Sequence, residues 1–305
     1  MNTFIRRPIR LSKSRFLSGL QCDKRLYYEV FCSEYASKID NQRQAMLDMG
    51  TEIGVTARLC FPGGQLVSES YRQSSAALER TAKLIADPEV PAIFEAAFQY
   101  AGTLIRADIL ERSGEQSWSL IEVKASSRVK AIHKLDLAVQ AFILQGSGIV
   151  LSQVCLMHVN RHYVFQGGEV DLQSLFVRED LTEEVFPRLS KIPEQLDHFR
   201  QILSKDSPPD IPPDSHCHTP YECPFWDHCT KEKSERWVFY LPGAKDVVKR
   251  MMKQGIEHID EIPSRVKLSE LQKRMKDNVE WVSPDLKQNL DSVRYPIHHL
   301  DFETF

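Results

Sequence analysis

Hydrophobic and polar positions follow two periods along this chain, and the switch between them divides it. The N-terminal part is helical. Phe16, Leu17 and Leu20 form a short apolar stripe ending at Cys22, with Ser12 or Ser14 as its cap. Asp40 opens a longer run to Cys60, with Ala45, Met46, Met49, Ile53 and Ala57 on one face. Gly50 and Gly54 fall four apart inside it. Glycine costs roughly 1 kcal/mol against alanine mid-helix, so the pair predicts close approach of another backbone. Phe61-Pro62-Gly63-Gly64 ends that helix, and Ser74 to Ala86 forms another, stopped by Asp87-Pro88. Alternation then takes over. Ala92 to Tyr100, Thr103 to Glu111 and Trp118 to Lys124 read as three strands with turns at Gly102 and Gly114. Lys134 to Gln145 is helical, Ile149 to Val159 is a strand, and Tyr163 to Phe165 extends a hairpin from it. Thr182 to Leu203 reads as one long helix. Ser207 to Pro224 holds six prolines and no periodicity, which makes it a loop. Lys245 to Leu290 is polar and helical, broken near Ile262-Pro263 and Leu268-Ser269, and Ile297 to Phe302 begins a strand.

The order, helix, three strands, helix and strand, predicts an α/β (α+β) chain with a C-terminal helical extension. At 305 residues with 42% hydrophobic content, it is long enough for one large domain and something smaller. The net charge of -3 gives no global basic field, although a local groove can still attract nucleic acid. The basic N-terminus has no apolar segment after it, so no secretory signal is expected. The stretch from Ala138 to Val159 is too polar to span a membrane. Seven cysteines without a disulfide-scaffold spacing suggest a reducing, cytoplasmic compartment and metal binding.

Two clusters carry chemistry. Asp108 sits late in one predicted strand, and Glu122 and Lys124 sit two apart on the next, so the latter share a face. Strands lie about 4.8 Å apart, which lets Asp108 and Glu122 share a divalent cation with Lys124 beside it. Mg²⁺ and similar ions take hard oxygen ligands of this kind. Gln140, four residues after Asp136 on the following helix, is placed to reach the same point. Glu52, between the two helical glycines, is the favoured upstream carboxylate, and Glu95 is its competitor. A Glu-x-Lys pair on a strand is also the usual pattern of a surface ion pair. An aspartate inside an apolar strand, however, is costly unless something pairs with it.

The second cluster is Cys217, Cys223 and Cys229, spaced C-x5-C-x5-C in the proline-rich loop. Zinc or an iron–sulfur cluster accepts such thiolates. His216, His218 and His228 permit a local zinc site, and a lone Cys22 is ordinarily a buried apolar residue.

In motif order the chain resembles the RecB-like branch of the PD-(D/E)XK nuclease superfamily. Asp108, Glu122-Val123-Lys124 and Gln140 match its motifs, and Glu52 in Gly50-Thr51-Glu52-Ile53-Gly54 stands where relatives often have a histidine. The resemblance implies a restriction-endonuclease-like core, a mixed sheet flanked by helices that agrees with the order of elements, and a Mg²⁺- or Mn²⁺-dependent DNA nuclease, acting as an exonuclease on single strands. Its catalytic residues would be Asp108, Glu122, Lys124 and Gln140, and its metal shell Glu52, Asp108 and Glu122; the candidate DNA contacts, from their clustering around the site, are Arg106, Lys124, Arg128 and Lys130. Leu11-Ser12-Lys13-Ser14 through Cys22-Asp23-Lys24-Arg25-Leu26-Tyr27 is similar to the start of RecB-like iron–sulfur nucleases, including CRISPR-associated exonucleases. There, one N-terminal and three C-terminal cysteines hold a [4Fe–4S] cluster. This implies Cys22, Cys217, Cys223 and Cys229 as ligands, and Cys32, Cys60 and Cys155 as structural. His216-Cys217 to Cys223-Pro224-Phe225 and Cys229 also resemble a bacterial family of unknown function. Leu300-Asp301-Phe302-Glu303 resembles the first motif of DnaQ-like DEDD exonucleases, with Asp301 and Glu303 as a remnant of a second site. The expected divisions are a nuclease domain at 1–235, a helical extension at 236–293 and the first strand of that further domain at 294–305. The alternative is a non-catalytic binding module with a zinc-stapled loop that presents the downstream exonuclease.

Overall fold

The structure is a computed structural model and describes residues 10–243 and 245–298. In chain order its elements are β1 (Leu11–Ser12), α1 (Lys13–Gln21), α2 (Asp23–Phe31), α3 (Asn41–Arg58), β2 (Gln65–Leu66), α4 (Ser74–Ala86), β3 (Ala92–Tyr100), β4 (Thr103–Arg112), β5 (Ser117–Lys124), α5 (Ala131–Gly146), β6 (Val150–Val159), α6 (Leu172–Leu175), β7 (Phe176–Asp180), α7 (Thr182–Val185), α8 (Ile192–Ser204), α9 (Trp226–Thr230), α10 (Lys245–Lys253), α11 (Glu270–Lys276) and α12 (Leu286–Asp291). Two compact units divide at 230/231.

The first unit carries one mixed, seven-stranded sheet in the order β2-β3-β4-β5-β6-β7, with β1 paired to β4. β3, β4 and β5 are successive antiparallel strands. β5 and β6 are parallel because α5 carries the chain across between them. Ala101 and Gly102, both at positive φ, form the two-residue turn that matches strand twist between β3 and β4. Helices cover both faces. Alternate strand residues such as Leu110, Leu120 and Leu156 pack with α1, α4, α5 and α8. Ile109, Ile121, Val123 and Met157 pack on the other side with Ala57 and Ile53 of α3. Each fully buried aliphatic side chain contributes roughly 1.5–3 kcal/mol, so β4 and β5 are fixed from two sides.

Several expectations change. Tyr163 to Phe165 is not a strand; β6 instead pairs with β7, from Val159↔Phe176 to Cys155↔Asp180. The helix expected over Thr182 to Leu203 breaks into α7, a 3-10 turn at Phe186–Lys191 and α8. Pro187 and Pro193 each lack the amide that a continuous helix needs. Among the described residues, no backbone approaches Gly50 or Gly54: a Cβ at either would meet nothing within 4 Å.

The second unit holds short helices around Val238, Phe239, Leu241, Val248, Met251, Ile259 and Ile262. Arg236 ties it together, pairing with Asp260 and donating to the Met275 and Lys276 carbonyls. No strand occurs among residues 294–298, and Asp301 and Glu303 lie outside the described residues. Among the described residues, no helix is long and apolar enough to cross a membrane.

Candidate active site

Three neighbouring strands each bring one acid to the same level of the sheet. The β4–β5 register pairs Ile109 with Ile121, so one further step sets Asp108 opposite Glu122. The β3–β4 register pairs Phe94 with Ile109 and Ala96 with Ala107, which sets Glu95 opposite Asp108 on the other side. Glu95, Asp108 and Glu122 line one cavity of about 340 Å³ with Lys13, Arg58 and Lys124. Glu95 has a φ of 56°, a left-handed conformation uncommon for a residue with a side chain and a form of strain that gathers at functional sites.

Glu122 is 1% exposed, which removes the surface-ion-pair reading of Glu122 and Lys124. Its carboxylate is saturated. Lys13 Nζ donates to both oxygens at 2.9 and 3.0 Å, Lys124 Nζ to Oε1, and Gln140 Nε2 to Oε2 at 2.7 Å. Lys124 also pairs with Asp136 Oδ2 at 2.9 Å, and Gln140 Nε2 also donates to Asp136 Oδ1 at 3.0 Å. His133, Asp136 and Gln140 are the buried polar residues of α5, which is otherwise apolar on its packed surface. Their spacing of three and four aims them along one side of the helix. Asp136 was the partner of Gln140 in the sequence pattern, and it belongs to the site in its own right.

The electrostatics follow from burial and pairing. Burial alone would raise the Glu122 carboxyl, but the two lysines and the hydrogen bonds from Lys124 and Gln140 outweigh it and hold it well below the usual range. Burial and the neighbouring Glu122 charge push Asp108 up to about 7, against the opposing pull of Lys13, Lys124 and the Val123 amide. Burial and the charge of Glu122 likewise raise Asp136. Lys13 and Lys124 stay protonated, because the surrounding carboxylates override the cost of burying them.

Lys13 was missed as a site residue. It follows β1, which pairs in parallel with β4 at Thr103 and Leu104, below the segment of β4 that β5 occupies. That pairing delivers the first residue of α1 against the carboxylates, while Ser12 caps the helix through the Arg15 amide at 3.3 Å.

The structure separates the two upstream carboxylates. Leu47, Gly50, Thr51, Gly54 and Arg58 are the α3 residues lining the cavity. Glu52 is exposed and does not line it, because at 100° per residue it faces away from the stripe through Gly50, Gly54 and Arg58. Glu95, the competing candidate, does line the cavity, bonded to Arg58 at 2.9 Å. Arg106 is also corrected. Its guanidinium donates to the carbonyls of Val67, Glu95 and Glu69, so it braces backbone. Arg128 and Lys130 lie exposed on the loop leaving β5.

Asp108 Oδ2 accepts from the Val123 amide at 2.8 Å, and its other oxygen accepts no hydrogen bond among the described residues. Gln140 Oε1 is buried without a donor. Hard oxygens from Asp108 and Glu122 in a shared cavity fit Mg²⁺ or Mn²⁺ by donor type. Among the described residues, no three His, Cys, Asp or Glu side chains already stand in metal-holding geometry.

The four implicated cysteines gather at the other end of α1. Cys22 separates α1 from α2. Gln21 Nε2 donates to the carbonyls of His216 and Tyr221, both at 2.7 Å, and Lys24 Nζ to that of Ile211 at 2.9 Å. These bonds seat the proline-rich loop on the α1–α2 corner, and the Cys223 amide closes the loop on the Cys217 carbonyl at 2.7 Å. Burial raises the Cys217, Cys223 and Cys229 thiols, Cys217 to about 11, and each is raised further by the nearby Cys22. All seven cysteines are free thiols. The Asp214 and Phe225 backbone and the cations Lys24 and Arg25 act against that rise, Lys24 at Cys229 and Arg25 at Cys223. Gathered sulfurs beside cations suit a cluster or zinc, whose binding would ionise them. Of the histidines, His228 stacks on Tyr35 and His218 pairs with Glu222, while His216 Nε2 lies 3.6 Å from Cys217 Sγ. Cys32 also packs against this group, beside Tyr28.

No family model and no curated protein matches the chain. Among solved structures, the crystal structure of SSO0001 aligns with 76% of this chain and 91% of its own, at 14% identity and a TM-score of 0.34. A likeness this loose decides neither fold family nor activity.

Proposed function

We propose that this chain is a Mg²⁺- or Mn²⁺-dependent DNA nuclease of the RecB-like PD-(D/E)XK type, hydrolysing phosphodiester bonds in single-stranded DNA. One observation carries the reading: Asp108 and Glu122 stand opposite each other on adjacent strands, with Lys124 beside them, in a cavity open to solvent.

Asp108 and Glu122 would hold the cation. A bound Mg²⁺ or Mn²⁺ polarises the phosphate and lowers the pKa of its water. Lys124, protonated between Glu122 and Asp136, is placed to stabilise charge developing on the phosphate oxygens. Gln140 braces Glu122 and Asp136 with one amide group, which fixes the orientation of both carboxylates before substrate arrives. Glu95, held by Arg58, is the third acid of the row. Gly50 and Gly54 form part of the α3 wall of the cavity, and Arg128 and Lys130, exposed on the loop after β5, would supply phosphate contacts. Cys22, Cys217, Cys223 and Cys229 would hold a [4Fe–4S] cluster with a structural role, pinning the late loop to the start of the chain.

The deciding experiment is cleavage of end-labelled single- and double-stranded DNA with Mg²⁺, Mn²⁺ or EDTA. The expected result is metal-dependent cutting of single strands that EDTA abolishes. Cutting that persists in EDTA, or none with either metal, would remove the reading.

A further inference from the structure

Lys13 reaches the acidic row from outside the sheet. Its ammonium contacts both oxygens of Glu122 and lies 3.6 Å from Asp136. No backbone carbonyl accepts from it among the described residues, so its bonding is spent on carboxylates. It also stands between two cavities. The second, about 220 Å³, is lined by Ser12, Ser14, Tyr71 and Arg106, and shares Lys13, Glu95 and Asp108 with the first.

The charges assign it a task. Among the described residues, four carboxylates (Glu95, Asp108, Glu122, Asp136) face three cations (Lys13, Lys124, Arg58). Fully ionised, the site carries one net negative charge. A divalent cation would turn it net positive, which suits an anionic phosphodiester. Without Lys13 the site would start at two negative charges and end neutral. The two oxygens that Lys13 engages on Glu122 are also those a metal needs.

We infer that Lys13 is a positioning residue that competes with the divalent cation for Glu122 and leaves the loaded site positive for phosphate. Lys13 therefore weakens metal binding and strengthens substrate binding. Simple damage to the site would weaken both, so the opposite signs are diagnostic. The inference rests on the proposed metal site.

The test is a calorimetric Mn²⁺ titration of the full chain and its Lys13→Met, Lys13→Gln and Lys13→Arg variants, followed by steady-state cleavage of single-stranded DNA. Lys13→Met should bind Mn²⁺ roughly tenfold more tightly, as expected when one screened like charge is removed. Its KM for DNA should rise. Lys13→Arg should stay near wild type in both. Lys13→Gln repeats the measurement should Lys13→Met fail to fold. Equal or weaker Mn²⁺ binding in the folded neutral variants overturns the inference. Failure of every form to bind Mn²⁺ overturns it together with the metal site. Should the wild type bind Mn²⁺ and cut no DNA, the nuclease reading falls and the titration still decides Lys13.

Discussion

Asp108 spends one carboxylate oxygen on the Val123 amide, across the strand boundary at 2.8 Å, and keeps the other for the cavity. The bond locks the side chain where β4 and β5 begin to part. Asp108→Asn can retain it through its own amide oxygen, so that variant separates charge from architecture. It should fold and lose cleavage by about a thousandfold or more, since a neutral amide is a poor ligand for a hard cation.

Asp108→Asn should also change stability with pH in EDTA. Burial raises the folded carboxyl to about 7, above its unfolded value of 3.8. The folded state therefore holds the proton more tightly, and wild type loses stability as pH climbs through that window. The advantage of the variant should grow between pH 5 and pH 8, by on the order of 1–3 kcal/mol. Chemical denaturation at both values checks it; an advantage that shrinks as pH rises would contradict the assigned shift.

Lys124→Met should abolish cleavage and leave the fold intact. Glu122 keeps Lys13 and Gln140 as partners, so the buried carboxylate is not abandoned. Activity near that of wild type would remove Lys124 from the chemistry, whatever its effect on melting.

Gln140→Leu should cost about 1–3 kcal/mol, because one buried amide satisfies Glu122 and Asp136 together. Urea midpoints measure the loss. A neutral substitution would mean that water replaces both bonds.

Arginines 106 and 128 should behave oppositely. Arg106→Ala should lower stability and leave the salt dependence of DNA binding unchanged, because its donors serve backbone carbonyls. Arg128→Ala with Lys130→Ala should barely alter melting and should reduce the slope of log affinity against log salt by about one to two. Binding measured across a salt series separates them.

Cys22→Ala should lose visible absorbance and iron as completely as Cys223→Ala when both are purified without oxygen. A colourless wild type holding one zinc, or full metal content in Cys22→Ala, would favour Cys217, Cys223, Cys229 and His216 instead.

The central part of the site was legible because strand periodicity is strict. Two residues of separation put Glu122 and Lys124 on one face, and successive strands put Asp108 next to them. Four residues of separation did the same for Asp136 and Gln140. The helix phase of Glu52 was equally readable, yet only packing reveals which side of α3 meets the cavity. Glu95 was harder to see, because a left-handed residue breaks the alternation that would advertise it. Lys13 left no periodic signal: β1 has two residues, and only its pairing with β4 sends the lysine inward. Arg106 sits on a strand beside an acid, and nothing in sequence distinguishes a guanidinium that meets carbonyls from one that meets phosphate. The longer elements from α3 to β6 were visible; β1 and β2, of two residues each, and α2 were not, and β7 escaped because its short Phe176–Asp180 segment lies beyond an irregular loop.

The distance in sequence between Lys13 and Glu122, 109 residues, bears on when the buried charge cluster can assemble during synthesis. Lys13 leaves the ribosome early, and its carboxylate partners follow much later. The loop that seats the α1–α2 corner follows later still, with Gln21 and Tyr221 separated by 200 residues. At ordinary synthesis rates the interval from Lys13 to Cys229 is roughly ten to forty seconds. A nascent chain therefore carries an incomplete charge cluster for much of its synthesis, and a message broken before Glu122 yields a fragment in which Lys13 lacks both Glu122 and Asp136.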